Sequence, residues 1–321
     1  MKVAVIGAGA VGGLIAARLT AAGLPASLVA RRRTLDTLRR DGLTVEGPSG
    51  RPVTVRPLVT DDTLALGPQD VVVLAVPAPL LTDVLDLLLP LLGPKTRLVP
   101  VVGGIPWWYP ANETIGGPLA AAPLASVDPK GLLSDAIPAD RIVGAVARVA
   151  VERRTPGYLR HLGGLRLALG PVAGNGGARD LAALFGAGGF NALAVPDIRA
   201  EVWTALLAPF AFGLLGLATG KPAQEIAHDD ALQPGFAAVV EELLALSAAL
   251  GHPAAAKVED VWTMAQHPGR IRPALRADVA AGRRAEIEAV LDAPLELAKR
   301  AGLSLPTVTG LLTAVRADTQ Q

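Results

Sequence analysis

The run Gly7-Ala8-Gly9-Ala10-Val11-Gly12 is the part of this sequence best suited to hold a ligand, and the ligand it suits is a pyrophosphate. Gly7 permits a tight turn, Gly9 lets backbone approach the phosphates, and Gly12 lets a helix pack closely on a strand. The start of that helix offers N–H groups with no partner in the preceding turn. The placement fits this use. The motif follows the β-rich stretch Lys2 to Ile6, opens a helical pattern over Val11 to Ala22 with Leu14, Ile15 and Leu19 facing inward, and returns to a second β-rich run at Ala26 to Ala30. A glycine-rich turn with no ligand is the plainer alternative, and the strand–turn–helix setting argues against it. Gly7, Ala8, Gly9, Ala10, Val11 and Gly12 are therefore the expected dinucleotide-binding residues of a Rossmann domain. At the end of the second strand, where an acid would hold an NAD ribose, the chain has Arg31-Arg32-Arg33. A guanidinium pairs with a 2′-phosphate that an acid would repel, so Arg31 points to NADPH rather than NADH. Three solvated arginines at a loop start is the other reading.

Other chemistries have little to work with. There is no cysteine, and His161, His228, His252 and His267 are too far apart for a short metal motif, so no metal site is expected. The formal net charge of +1 gives no field for nucleic acid or an anionic membrane. Two apolar stretches raise the question of a membrane span. Val71 to Leu92 is interrupted by Pro77, Pro79, Asp83 and Asp86, and Val202 to Ala218 by Pro209, Gly213 and Gly216. Both read as buried strand or helix. Glycines also break the apolar start, which therefore does not read as a signal peptide, and a cytoplasmic location is expected.

The elements that must position these residues fall into two kinds. Up to about residue 195 short β-rich runs alternate with helical patterns, with later strands at Val71 to Val76, Arg97 to Val102 and Arg141 to Val151, which indicates a mostly parallel sheet with helices on both faces. From Asp197 apolar residues recur at helical spacing. The expected architecture is an α/β Rossmann domain over residues 1–196 and an all-α domain over 197–321, divided near Val195-Pro196-Asp197. The last residues, Ala317 to Gln321, look like a frayed end. Exposed apolar surface on the helical part would suit a homodimer.

Further segments carry a resemblance. The opening Val5 to Gly13 with Arg31, the run Gly104-Ile105-Pro106-Trp107-Trp108-Tyr109, Pro156-Gly157 followed by His161 and Gly170, and Asp278 to Glu286 with Ala281-Gly282-Arg283 together resemble the ketopantoate reductase (2-dehydropantoate 2-reductase) family over nearly the full length. The resemblance implies NADPH-dependent reduction of a ketone. It also implies a helical C-terminal domain of the 6-phosphogluconate dehydrogenase type, and an active site in the cleft between the domains. In that family a lysine shortly after a tryptophan donates a proton to the developing alkoxide. Here the tryptophan matches Trp203, and the lysine falls on Ala205 or, in a poorer register, Thr204. The family's asparagines fall on Pro209, Gly213 and Gly103, its serine on Ala274, and a lysine after the fourth strand on Pro77. Glu286 is kept, with Asp278 nearby.

These replacements remove charged or hydrogen-bonding groups and leave an apolar, roomier pocket lined by Trp203, Ala205, Pro209, Ala274 and Asp278, with Gly103 beside the cofactor. Glu286 is the best remaining proton donor if burial raises its pKa; otherwise it orients the cofactor ribose or a helix end. Lys221 lies turns away from Ala205. Tyr109 could donate a proton or pack, His161 suits a structural hydrogen bond, and Trp203, Phe210 and Phe212 fit core or ligand equally. The expected protein is an NADPH-dependent oxidoreductase of specialised metabolism. Its substrate would be a larger hydrophobic imine, enone or ketone, not ketopantoate. The alternatives are a cyclase or isomerase that keeps the apolar cleft without redox chemistry, and a nucleotide sensor.

Overall fold

The computed structural model describes residues 1–111, 122–174, 177–266 and 286–318. The chain divides into two compact units. One comprises Met1–Val102 and Leu133–Ile198, the other Gly103–Leu132 and Arg199–Gln321.

In the first unit β1 (Val3–Ile6), α1 (Ala10–Ala21), β2 (Ala26–Val29) and α2 (Arg32–Asp41) lead to three short strands, β3 (Leu43–Glu46), β4 (Pro52–Val55) and β5 (Leu58–Thr60). One-turn α3 (Thr63–Leu66), β6 (Gln69–Leu74), one-turn α4 (Leu85–Leu88) and β7 (Leu92–Pro100) follow. Strands β5, β2, β1, β6 and β7, in that order, form an all-parallel sheet. Val3–Ile6 of β1 and Val71 to Leu74 of β6 are apolar and buried throughout, as a sheet covered on both faces requires. The chain leaves β1 for β2 on one side and later returns to β6 on the other. The carboxyl ends of β1 and β6 are thus the switch point where ligands bind in folds of this kind.

After α5 (Leu132–Ala136), β8 (Val143–Thr155) and β9 (Tyr158–Pro171) make a long antiparallel hairpin, followed by α6 (Ala178–Ala187) and β10 (Asn191–Ala194). These strands join β3 and β4 in a second, mixed sheet. Helix α1 packs against strands of both sheets, and a Cβ on Gly13 would lie 2.9 Å from Leu159 Cδ1 of β9. The sequence pattern predicts helices on both sheet faces. Helix α1 does lie on the parallel sheet, and the structure adds a second sheet over its other side, which explains why Gly12, Gly13, Leu14, Ile15, Ala16, Ala17 and Leu19 are all buried and why the helix shows no polar stripe. Burying Leu14, Ile15 and Leu19 stabilises the unit by roughly 1.5–3 kcal/mol each.

In the second unit α7 (Ile198–Thr219) is the central helix, followed by α8 (Ala223–Ile226), α9 (Gln233–Ala249) and α10 (Val258–Gln266). A π-helical turn at Glu288–Asp292 then leads into α11 (Ala293–Arg300) and α12 (Pro306–Asp318). The stretch Val202 to Ala218, read from sequence as buried strand or helix, is helix, and α7 runs through Pro209, Gly213 and Gly216. It is long and apolar enough by composition to cross a bilayer, but Trp203, Leu207, Phe210 and Leu214 are fully buried in the unit's core. Phe212 stacks on Trp262 at 6.0 Å and meets Phe236 at 4.5 Å. The Glu242 carboxylate of α9 accepts the N–H groups of Thr307 and Val308 at 2.7 and 3.1 Å, capping α12.

The segment Gly103–Leu132 groups with the helical unit rather than with the strands on either side of it in sequence. A single cut at 196/197 does not describe that arrangement. The physical reason is the partners of Trp108 and Tyr109, among them Arg199 and Trp203 of α7.

Candidate functional site

The glycine motif sits at the carboxyl end of β1, where each glycine meets a different demand. Gly7 has φ +110°, and a Cβ there would overlap the Ala75 carbonyl oxygen just past β6. At Gly12 a Cβ would overlap the Gly7 carbonyl oxygen and come within 2.9 Å of Ala75 Cβ. These two positions are closed by the protein itself. Gly9 differs, since no atom lies within 4 Å of where its Cβ would be. Gly9 is also the N-cap of α1; it supplies no side-chain cap, and the first turn holds no acid. The motif therefore presents the open side of a helix N-terminus beside Gly9, with Ala8, Ala10 and Val11 half-buried around it, which fits a bound phosphate group.

Arg31 stands at the end of β2 as the N-cap of α2. Its guanidinium donates to the Asp83 carbonyl at 3.2 Å, across from the chain that follows β6. Arg32 has φ +51°, the one non-glycine residue with positive φ among those described, and such strain gathers at ligand sites. All three arginines are exposed, as is Pro77, where a family lysine would lie.

In the helical unit Gly103 is exposed and faces Glu286, which is half-buried and is not a free carboxylate. A Cβ on Gly103 would lie 2.6 Å from Glu286 Oε2. Gly104, at φ +70°, has no room for a side chain against the Ala289 carbonyl, and that same carbonyl accepts the Ile105 N–H at 2.8 Å. The loop is thereby fixed to the start of the π-helical turn, and the space that an asparagine at 103 would fill is taken by the Glu286 side chain. Adding one methyl should then cost stability only while Glu286 is present. The atom in the way is the end of a flexible side chain, so Gly103→Ala should destabilise the protein by less than about 1 kcal/mol, and by less still on a Glu286→Ala background. Urea unfolding of the two single variants and the double variant measures this, and additive effects would refute the coupling.

On α7 the residues matched to the family's acid and amides lie one turn apart on the less buried side: Ala205 and Gly213 are half-buried and Pro209 is exposed. Among them there is no side-chain donor. Trp203, read as a pocket residue, is fully buried and donates its Nε1–H to the Tyr109 hydroxyl at 2.7 Å, so it belongs to the core. Phe210 and Phe212 are core residues too. Tyr109 is fully buried, edge-on to Trp203 and His252, and its carbonyl accepts from Arg199 Nε at 2.8 Å. Its role is packing. Sequence reasoning missed Arg199, a buried cation that also reaches the Ala111 carbonyl and lies over the Trp108 and Tyr109 rings. The signal was a charge inside an otherwise apolar helix.

The remaining candidates have structural tasks. Thr204 donates to the Ala200 carbonyl at 2.7 Å and accepts the Ala255 N–H at 3.0 Å, which ties down the loop after α9. Lys221 is paired with Asp229 at 2.5 Å, and its hydrogen bond holds the Asp229 carboxyl below the usual carboxylate range. Buried His161 bonds the Gly164 carbonyl through Nε2 at 2.8 Å. Ala274, Asp278 and the Ala281-Gly282-Arg283 run lie outside the described residues.

Comparison with known proteins places this geometry. Sequence models of the ketopantoate reductase PanE/ApbA family match residues 3–174, and those of its C-terminal domain residues 197–319. The chain is 34% identical to a 2-dehydropantoate 2-reductase of Mesorhizobium japonicum over 98% of its own length and 97% of that protein's. Among solved structures it superposes on a Ralstonia solanacearum MolK2 protein described as a ketopantoate reductase, with TM-score 0.87 and 33% identity over 99% of this chain and 98% of that one. A D-mandelate dehydrogenase bound to NADH and anilino(oxo)acetate shares the fold, with TM-score 0.79 at 18% identity over 99% and 97% of the two chains.

Proposed function

We propose, from the premise that the chain belongs to the ketopantoate reductase PanE/ApbA family, that it is an NADPH-dependent oxidoreductase whose substrate is a hydrophobic imine, enone or ketone larger than ketopantoate. The observation that carries this reading is the open side of α7. Where the family pattern has a lysine and two asparagines, this chain has Ala205, Pro209 and Gly213. A ketone needs a proton as its oxygen gains charge, and a small hydroxy-acid needs polar groups to hold it. That side of α7 offers neither from a side chain. A substrate already activated as a cation or a conjugated system needs less help from the protein, and apolar lining favours a larger apolar body.

The residues of the first unit fit a nicotinamide dinucleotide, which supplies hydride when bound. Gly7 and Gly12 shape the turn, Gly9 leaves the helix N-terminus open to the pyrophosphate, and Arg31 can leave the Asp83 carbonyl for a 2′-phosphate. Losing one charge-assisted partner is worth about tenfold or more in affinity. Arg31→Ala should therefore weaken NADPH at least about tenfold and leave NADH nearly unchanged, as read by nucleotide fluorescence titration. Equal loss for both nucleotides would remove Arg31 as the phosphate residue.

The substrate reading is tested by offering purified protein and NADPH a panel of cyclic imines, enones and bulky ketones beside ketopantoate. NADPH oxidation with members of the hydrophobic panel and not with ketopantoate is the expected result. Efficient turnover of ketopantoate would overturn the reading, and product formation without NADPH oxidation would replace it with a cyclase or isomerase.

A further inference from the structure

Helix α7 contains a proline well inside its length, and that proline changes what the helix offers to a ligand. Pro209 has no N–H, so the carbonyl of Ala205, one turn earlier, lacks the donor that an α-helix would give it. A proline ring inside a helix also crowds the carbonyl four residues before it. Pro209 is exposed and Ala205 half-buried, so both residues lie on the less buried side of α7. The adjacent hydroxyl does not serve it, because Thr204 Oγ1 donates to Ala200 and accepts from Ala255. Trp203 is turned into the core toward Tyr109. A proline here costs helix stability that an alanine would not, and the freed acceptor stands at the residue matched to the family's proton donor.

We infer that the Ala205 carbonyl is a ligand-binding acceptor, and that the group it takes is a protonated nitrogen. At the residue where the family pattern has a cation, this helix has no side-chain donor and offers a backbone oxygen, whose complement is an N–H donor. The inference rests on the preceding reading that this side of α7 meets the substrate, and it chooses the imine from the three classes named there. The corresponding reaction balances without a protein acid. With hydride supplied by a bound nicotinamide, the carbon of a protonated imine would gain a C–H bond while the C=N π pair moved to nitrogen, which would give the neutral amine and the oxidised nucleotide.

Binding of redox-inert probes tests the inference apart from turnover. Calorimetry on the full chain would compare protonated 2-phenylpiperidine with 2-phenyltetrahydropyran, which has the same shape and no N–H. Wild type should bind the amine at least about tenfold tighter than the ether. Pro209→Ala restores the helical hydrogen bond and should fold at least as well, with a raised melting temperature, while the preference falls to within about twofold. Absence of binding by both probes, absence of a preference in wild type, or a preference that survives Pro209→Ala would each overturn the inference. If the preference behaves as stated and the matching cyclic imine consumes no NADPH, the reductase reading fails and the acceptor site stands.

Discussion

Gly12→Ala should cost the protein about 3 kcal/mol or more and weaken NADPH binding by more than about 100-fold, although it adds a single methyl group. The added carbon would overlap the Gly7 carbonyl oxygen and press on Ala75 Cβ, and neither is the end of a flexible side chain. The only relief is for α1 to lift away from β1 and β6. It is held there by the buried Leu14, Ile15 and Leu19, and behind it by the second sheet through the contact of Gly13 with Leu159. Displacement of α1 carries the helix N-terminus away from the phosphate position, so stability and binding fall together. Gly9→Ala separates the two effects. With nothing within 4 Å of its Cβ and an extended backbone at φ −79°, it should leave stability within about 0.5 kcal/mol of wild type and still lose nucleotide, because the methyl enters the space of the pyrophosphate. Urea unfolding with a parallel NADPH titration gives both quantities. Unchanged affinity in Gly9→Ala would mean that the open side of the loop is not the phosphate site.

The second large effect is expected at Arg199, which is 7% exposed. Its guanidinium joins the carbonyls of Tyr109 and Ala111 to α7 and covers the faces of Trp108 and Tyr109. Arg199→Met keeps the apolar stem and leaves two carbonyls without their donor, for a cost of about 3–5 kcal/mol. Arg199→Lys should recover less than half of that, because one ammonium cannot reproduce the planar fork that spans two acceptors. The readouts are chemical denaturation and near-UV circular dichroism, in which Trp107, Trp108 and Tyr109 should lose their fixed environment. A methionine variant within about 1 kcal/mol of wild type would show that the loop is held by its aromatic packing alone.

The glycine loop was legible in the sequence because the turn it makes is local, between one strand and the helix that follows it, while the closure of Gly7 and Gly12 against Ala75 was not. The change from alternating strands and helices to a helical half was legible for the same reason, as a change of period. What the sequence hid depends on partners far along the chain. Gly103 reads as a lost asparagine, and only the carboxylate of Glu286 shows that the empty space is filled. Trp203 reads equally as ligand contact or core until Tyr109 is placed beside it. Pro209 reads as an interruption of an apolar run, whereas the packing around Trp203, Leu207, Phe210 and Leu214 holds the helix through it. The second sheet was hidden because β3, itself paired with β4, meets β9 far along the chain, Thr44 against Tyr158.

The return of Gly103–Leu132 to the helical unit sets an order on synthesis. Trp108 and Tyr109 leave the ribosome before Arg199 and Trp203 exist to meet them, while the strands of the parallel sheet made before them can already begin to pair. During that interval these large aromatic side chains have only water or a chaperone for company. For the same reason the helical unit cannot be obtained by truncation at residue 199: a fragment that starts there would expose the face of α7 that this early loop was made to meet.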